Sequence, residues 1–138
     1  GTVIQAAYTS TGRGIIAWSG RTAVRAAFVN GRSIGAPQDL APIAPTESLQ
    51  DIGLGNLVVS ANGAAAVTMI SPVDATDNQV LVAPLGDGAA AFGPAEVASA
   101  PGAYLADPSA GFDFKTNQLV VAWRVPQVGI VLATRPSP

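Results

Sequence analysis

Apolar residues in this chain gather in short runs separated by Gly, Pro, Asn and Ser, with no helical spacing. Gly14-Ile15-Ile16-Ala17-Trp18 returns as Leu119-Val120-Val121-Ala122-Trp123, and between them lies Gly63-Ala64-Ala65-Ala66-Val67-Thr68-Met69. A half-exposed strand alternates apolar and polar positions. Gly14–Trp18 and Leu119–Trp123 do not alternate, which predicts strands buried on both faces. Trp18, Met69 and Trp123 are 51 and then 54 positions apart, so the runs mark an internal repeat. A second apolar run follows each: Val24 to Phe28, Val80 to Pro84 and Ile130 to Thr134. A third element follows twice, at Ile34 to Leu40 and Phe92 to Val97, and the third copy stops at Arg135-Pro136-Ser137-Pro138 before it.

Each unit also opens with an extended run, at Val3 to Tyr8, Leu57 to Ala61 and Gly111 to Phe114. Turn residues separate that run from the Trp/Met strand: Ser10-Thr11-Gly12-Arg13, Ala61-Asn62-Gly63 and Lys115-Thr116-Asn117. Gly and Asn supply the positive φ of tight hairpins. Turns this short join antiparallel strands and cannot make a parallel crossover. The predicted fold is therefore all-β, made of antiparallel meanders of three or four strands in units of about 1–45, 53–100 and 103–138. Eleven Pro residues and many β-branched ones oppose helix. One turn of helix is expected at Thr46–Asp51 behind Pro45, with Thr46 as its cap. Residues 41–55 and 99–109 read as linkers between units, being rich in Pro, Ala, Gly and Ser.

The phrases Gly-Ile-Ile-Ala-Trp, Val-Val-Ala-Trp, Val-Leu-Ala-Thr-Arg-Pro and Phe-Gly-Pro-Ala-Glu-Val resemble a degenerate β-propeller repeat found in secreted or surface proteins of bacteria. The middle copy departs from it in carrying Met69 for Trp and a longer loop, Ser71 to Gln79. The resemblance implies propeller-like blades, no assigned activity and a secreted or cell-surface location. A β-sandwich is the alternative architecture. Three blades do not close a ring, since rings have about four to eight. Either two chains pair into a six-bladed ring or these residues belong to a longer polypeptide. Open blades leave apolar faces exposed, so a homo-oligomer is expected in place of a stable isolated monomer.

Composition removes several chemistries. There is no Cys and no His, which excludes disulfides, thiolate metal sites, a Cys nucleophile and a Ser–His–Asp arrangement. Net charge is −2 and the seven basic residues are scattered, so no nucleic-acid partner is expected. No apolar run reaches about 18 residues, so membrane insertion is not expected. The N-terminal Gly1-Thr2-Val3-Ile4 lacks a basic segment before an apolar run, so no signal peptide is expected there.

The candidate ligand-binding residues are aromatic. Trp18 and Trp123 read either as stacking platforms for sugar rings or as core packing between units, and Tyr8 and Tyr104 as a wet rim or as ordinary surface aromatics. Asp74-Ala75-Thr76-Asp77-Asn78 offers oxygen atoms for Ca²⁺ but fits hairpin chemistry better, as do Asp107 and Asp113 around Pro108-Ser109-Ala110-Gly111. Ser109-Ala110-Gly111-Phe112-Asp113 has the wrong spacing for a sialidase-type turn, and six Arg and two Tyr give that class little to build with. Gly12-Arg13-Gly14 and Gly53-Leu54-Gly55 precede strands and not a helix, so they read as turns and not dinucleotide loops. Lys115, the sole lysine, sits in an expected turn and not in the desolvated pocket a Lys nucleophile needs.

The expected function is a non-enzymatic, self-associating structural or binding module without metal or cofactor. A carbohydrate-binding assembled propeller is the first alternative and a partial glycosidase-like propeller the second.

Overall fold

The computed structural model describes residues 3–43 and 52–138; the expected turn of helix at Thr46–Asp51 lies outside these. The described residues hold strands and no helix, in three antiparallel sheets, none closed on itself. The first sheet contains β1 (Ile4–Tyr8), β2 (Gly14–Ser19) and β3 (Ala23–Asn30), with β4 (Ser33–Ile34) and β5 (Gln38–Pro42) both paired to β3. In the second, β6 (Gly53–Val59), β7 (Ala65–Pro72), β8 (Asn78–Leu85) and β9 (Glu96–Val97) follow in order. The third is β10 (Ala106–Phe112), β11 (Leu119–Val125) and β12 (Gly129–Arg135). Among the described residues β12 has no fourth strand beside it.

The same hairpin opens each sheet for the same local reason. Gly12, Gly63 and Asn117 hold φ of +88°, +88° and +55°, the region that Gly and Asn enter most readily. A side-chain oxygen caps each turn: Thr9 Oγ1 accepts from Arg13 N, Ser60 Oγ from Ala64 N, and Asp113 Oδ1 from Lys115 N.

Two opening strands begin earlier than the expected Leu57 and Gly111. The strands run through Gly53-Leu54-Gly55 and through Asp107-Pro108, which their composition marks as turn or linker. Bulges explain the difference. The register slips between Leu54 and Leu57 and between Ala106 and Ser109, so an extra residue is absorbed without ending the strand. Asp107, expected in a turn, takes φ +53° at the second bulge and pairs with Arg124 across the sheet at 2.9 Å. Gly55 lets β6 and β10 approach closely, since a Cβ there would stand 2.6 Å from the Pro108 carbonyl oxygen.

The sheets stack in chain order around two apolar clusters. Ile15, Ala17, Val24 and Ala26 of the first sheet meet Val67, Met69, Leu81 and Ala83 of the second. Ala66, Ile70, Val80 and Val82 on the opposite face of the second sheet meet Leu119, Val121 and Trp123 of the third. Small Ala side chains on the contact faces let the layers approach closely. Burial on both faces, expected for Gly14–Trp18 and Leu119–Trp123, is found instead in β7, where Ala65 to Ser71 are all buried. β2 and β11 each bury one flank and leave the other partly open, because their sheets end the stack.

Candidate functional site

Cross-strand register decides which side chains share a face. Ile4 pairs with Trp18 and Trp18 with Arg25; Ala6 pairs with Ile16 and Ile16 with Ala27. Tyr8 pairs with Gly14, whose missing side chain makes room for the tyrosine ring. Tyr8 and Trp18 therefore lie on the outer face of the first sheet, Tyr8 exposed and Trp18 half-buried. Trp123 lies elsewhere, 5% exposed in the cluster between the second and third sheets. Tyr104 is exposed in the turn before β10, with φ +60°. The four candidate aromatics thus fall in three places; only Tyr8 and Trp18 share a face, at opposite ends of the β1–β2 ladder.

The outer face of the third sheet is the second bare surface. Val120, Ala122 and Arg124 of β11 pair with Thr134, Leu132 and Ile130 of β12. Ile130 is 70% exposed and Leu132 63%. Ser109 and Gly111 complete the face from β10 and, with Val120 and Ala122, line a shallow hollow of about 480 Å³.

Polar bonds fix how one sheet seats on the next. The Gln5 side chain of β1 accepts from Leu57 N at 2.7 Å and donates to the Gly55 carbonyl at 3.2 Å. Asn56 of β6 repeats this on the third sheet, accepting from Ala110 N at 3.0 Å and donating to the Ala110 carbonyl at 3.1 Å. Each amide thus joins the opening strand of its own sheet to that of the next. Gln5 and Asn56 stand thirteen residues ahead of Trp18 and Met69, a spacing that could have disclosed them in the sequence. Ser109 holds this position in the third sheet, opposite Ala122 as Gln5 is opposite Ala17. At the rim, Arg13 donates to the Ala89 and Gly86 carbonyls of the second sheet and lies over the Phe28 ring, which stacks on Phe92 at 6.4 Å. Arg135 pairs with Glu96 at 2.6 Å across the other junction.

The acidic loops are turns by their bonding. Asp74 Oδ1 accepts from Thr76 N, Asp77 N and the Thr76 hydroxyl, closing the hairpin between β7 and β8. Among the described residues no group of three or more acidic side chains is placed to hold a metal ion. The Thr76 main-chain hydrogen bond, followed by those of Asp77 N and the Thr76 hydroxyl, holds the Asp74 carboxyl below its ordinary value of 3.8. Bonds from Lys115 N and then Thr116 N lower Asp113 in the same way. A depressed folded value stabilises the turns above the unfolded value, and that gain is lost as pH falls through the folded one. An NMR titration should show the Thr76 and Asp77 amides shifting with a midpoint under 3.8; a midpoint at or above it refutes the bonded turn.

Compared with models of known families, with curated proteins and with solved structures, the chain has no match.

Proposed function

We propose that this chain is a non-catalytic, propeller-like stack of β units whose work is self-association, giving a structural or binding module of secreted or cell-surface type. One observation carries the reading. Ile130 and Leu132 are 70% and 63% exposed, while Val80 and Val82, at the same register positions of the second sheet, are 0% and 2% exposed. A face built from apolar residues at positions the fold elsewhere buries is an association surface. Two chains would bring six such sheets together, within the range of about four to eight that closed rings use.

The non-catalytic reading draws support from the carboxylates. Among the described residues the two that are clearly shifted, Asp74 and Asp113, are exposed and held ionised by turn hydrogen bonds. A general acid at neutral pH needs the opposite, a carboxyl raised by burial or a like charge.

Sugar binding has one observation in its favour, the presence of Tyr8 and half-open Trp18 on one face. The polar groups flanking Trp18 there, Arg25 and Asp39, are bonded to each other at 2.7 Å, which favours a protein surface over a sugar ring as occupant.

Sedimentation velocity from low to high micromolar protein tests the proposal. The expected result is a concentration-dependent species heavier than the 13.8 kDa chain. A clean monomer throughout overturns self-association; loss of glycan-array binding on Trp18→Ala in folded protein would establish the sugar reading. Hydrolysis of a fluorogenic glycoside by the purified chain would overturn the non-catalytic one.

A further inference from the structure

The geometry points to a specific mode of self-association: the Trp18 face of one copy seats on the Ile130/Leu132 face of a second, head to tail. This rests on the self-association reading and adds its register and polarity.

The two internal junctions are made by equivalent positions. Met69 and Val67 present the second sheet to the first; Trp123 and Val121 present the third to the second. Trp18 and Ile16 occupy those positions in the first sheet and lie on its outer face, half-buried, with no other sheet of the described residues packed on them. Across the strand, Ile4 is 60% exposed where Leu54, paired with Met69 as Ile4 is with Trp18, is 8% exposed.

The receiving side repeats as well. Val24 and Ala26 receive the second sheet, Val80 and Val82 receive the third, and Ile130 and Leu132 occupy those positions in the third sheet. The molecule therefore carries both halves of a junction it makes twice within itself, one half at each end of the stack. The halves differ, so neither face is built to pair with itself, and the contact is heterologous. A second copy is the occupant because it brings the matching half of the junction that the chain already makes twice. Each face carries one ion pair of its own, Arg25 with Asp39 and Arg124 with Asp107, so these four charges are already matched before the faces meet.

One element of the internal junctions is missing. Gln5 and Asn56 grip the next sheet's opening strand through main-chain bonds, at Leu57 and Ala110. Ala6 is the corresponding strand position in the first sheet, opposite Ile16 as Leu57 is opposite Val67. The residue that would grip it is Ser109 of the neighbouring copy, exposed and too short to make both bonds. The junction between copies thus lacks the paired amide bonds of the two inside the chain, which makes it looser than they are.

Sedimentation velocity on wild type, Trp18→Glu, Leu132→Glu, an equimolar mixture of these two, and Ser109→Asn tests the assignment, with circular dichroism confirming folding. Where Trp18→Glu does not fold, Ile4→Glu on the same face replaces it. Each charged variant should be monomeric alone, and the mixture should regain a 1:1 species through its one intact junction. Ser109→Asn should tighten association about tenfold, the effect of two added hydrogen bonds of ordinary net strength. If Leu132→Glu associates like wild type while Trp18→Glu does not, or the reverse, one face pairs with itself and the head-to-tail mode is overturned while self-association stands. A mixture that stays monomeric, or no gain from Ser109→Asn, also overturns it. Monomeric wild type overturns both this mode and the reading beneath it.

Discussion

Trp123→Ala should destabilise the chain by about 3–5 kcal/mol and leave it largely unfolded at room temperature. The indole sits 5% exposed among Ile70, Val80, Val82 and Leu105, so truncation removes a large buried area and opens a void between two sheets. The sheets cannot collapse into that void freely, because the Asn56 bonds to Ala110 and the Arg135–Glu96 pair hold them at a fixed separation on either side. Trp18 occupies the same register position one end of the stack away, yet its outer flank is open. In dilute protein Trp18→Ala should therefore cost well under half as much. The two effects should also differ in how they depend on concentration. Loss at Trp123 is internal to the chain and should be the same at any concentration. Loss at Trp18 should grow with protein concentration, because association stabilises the folded state by mass action. Denaturant melts at two concentrations, followed by circular dichroism, read both effects. Equal and concentration-independent losses at the two positions would mean that the first sheet's outer face is not an association surface.

The repeat was legible because the strongest signal of a buried strand is an unbroken apolar run, and three such runs recur at near-constant spacing. The central strands, their partners and the hairpin turns follow from Gly12, Gly63 and Asn117 and the apolar segments around them. Less legible were the opening strands of the second and third sheets. Gly53, Gly55, Asp107 and Pro108 are residues of turns by composition, and only the bulge that accommodates them makes them strand. Which flank of each apolar run is buried was also beyond the sequence, since Ile15 and Ile16 are alike in chemistry and differ only in which sheet lies beyond them. For the same reason Trp18 and Trp123 look identical in the sequence and occupy opposite environments in the fold. Gln5 falls inside an expected strand and Asn56 just ahead of one, and a side chain that bonds main chain in another unit leaves no local mark; only their shared spacing to Trp18 and Met69 marks them.

Asn56→Ala should cost about 2–4 kcal/mol, more than any other single polar truncation at the sheet junctions, since the Ala110 N–H and carbonyl each lose a partner at roughly 1–3 kcal/mol. The effect is large because Asn56 Oδ1 serves two donors. It accepts from Ala110 N and also from the Thr68 hydroxyl at 2.7 Å, and Thr68 Oγ1 in turn accepts from Asn56 N at 2.9 Å. Thr68 is fully buried, so in Asn56→Ala its hydroxyl loses its shortest acceptor and donates only over the longer distances to the Pro108 carbonyl at 3.3 Å and the main-chain carbonyl of residue 56 at 3.5 Å, while it still accepts from the N–H of residue 56. Water could replace the lost partners only by opening the seam between β6 and β10, where Gly55 already lies too close to Pro108 for a side chain. The damage should therefore be local to the third sheet. Hydrogen exchange in Asn56→Ala should show faster exchange at β10 and β11 first, with the hairpin of β2 and β3 nearly unchanged. Gln5→Ala should give the mirror image, loosening the first sheet against the second, and by a smaller amount because Gln5 lacks a Thr68-like partner among its bonds. Uniform acceleration across all three sheets in both variants would show that the chain opens as one unit and that the amide bonds do not act sheet by sheet.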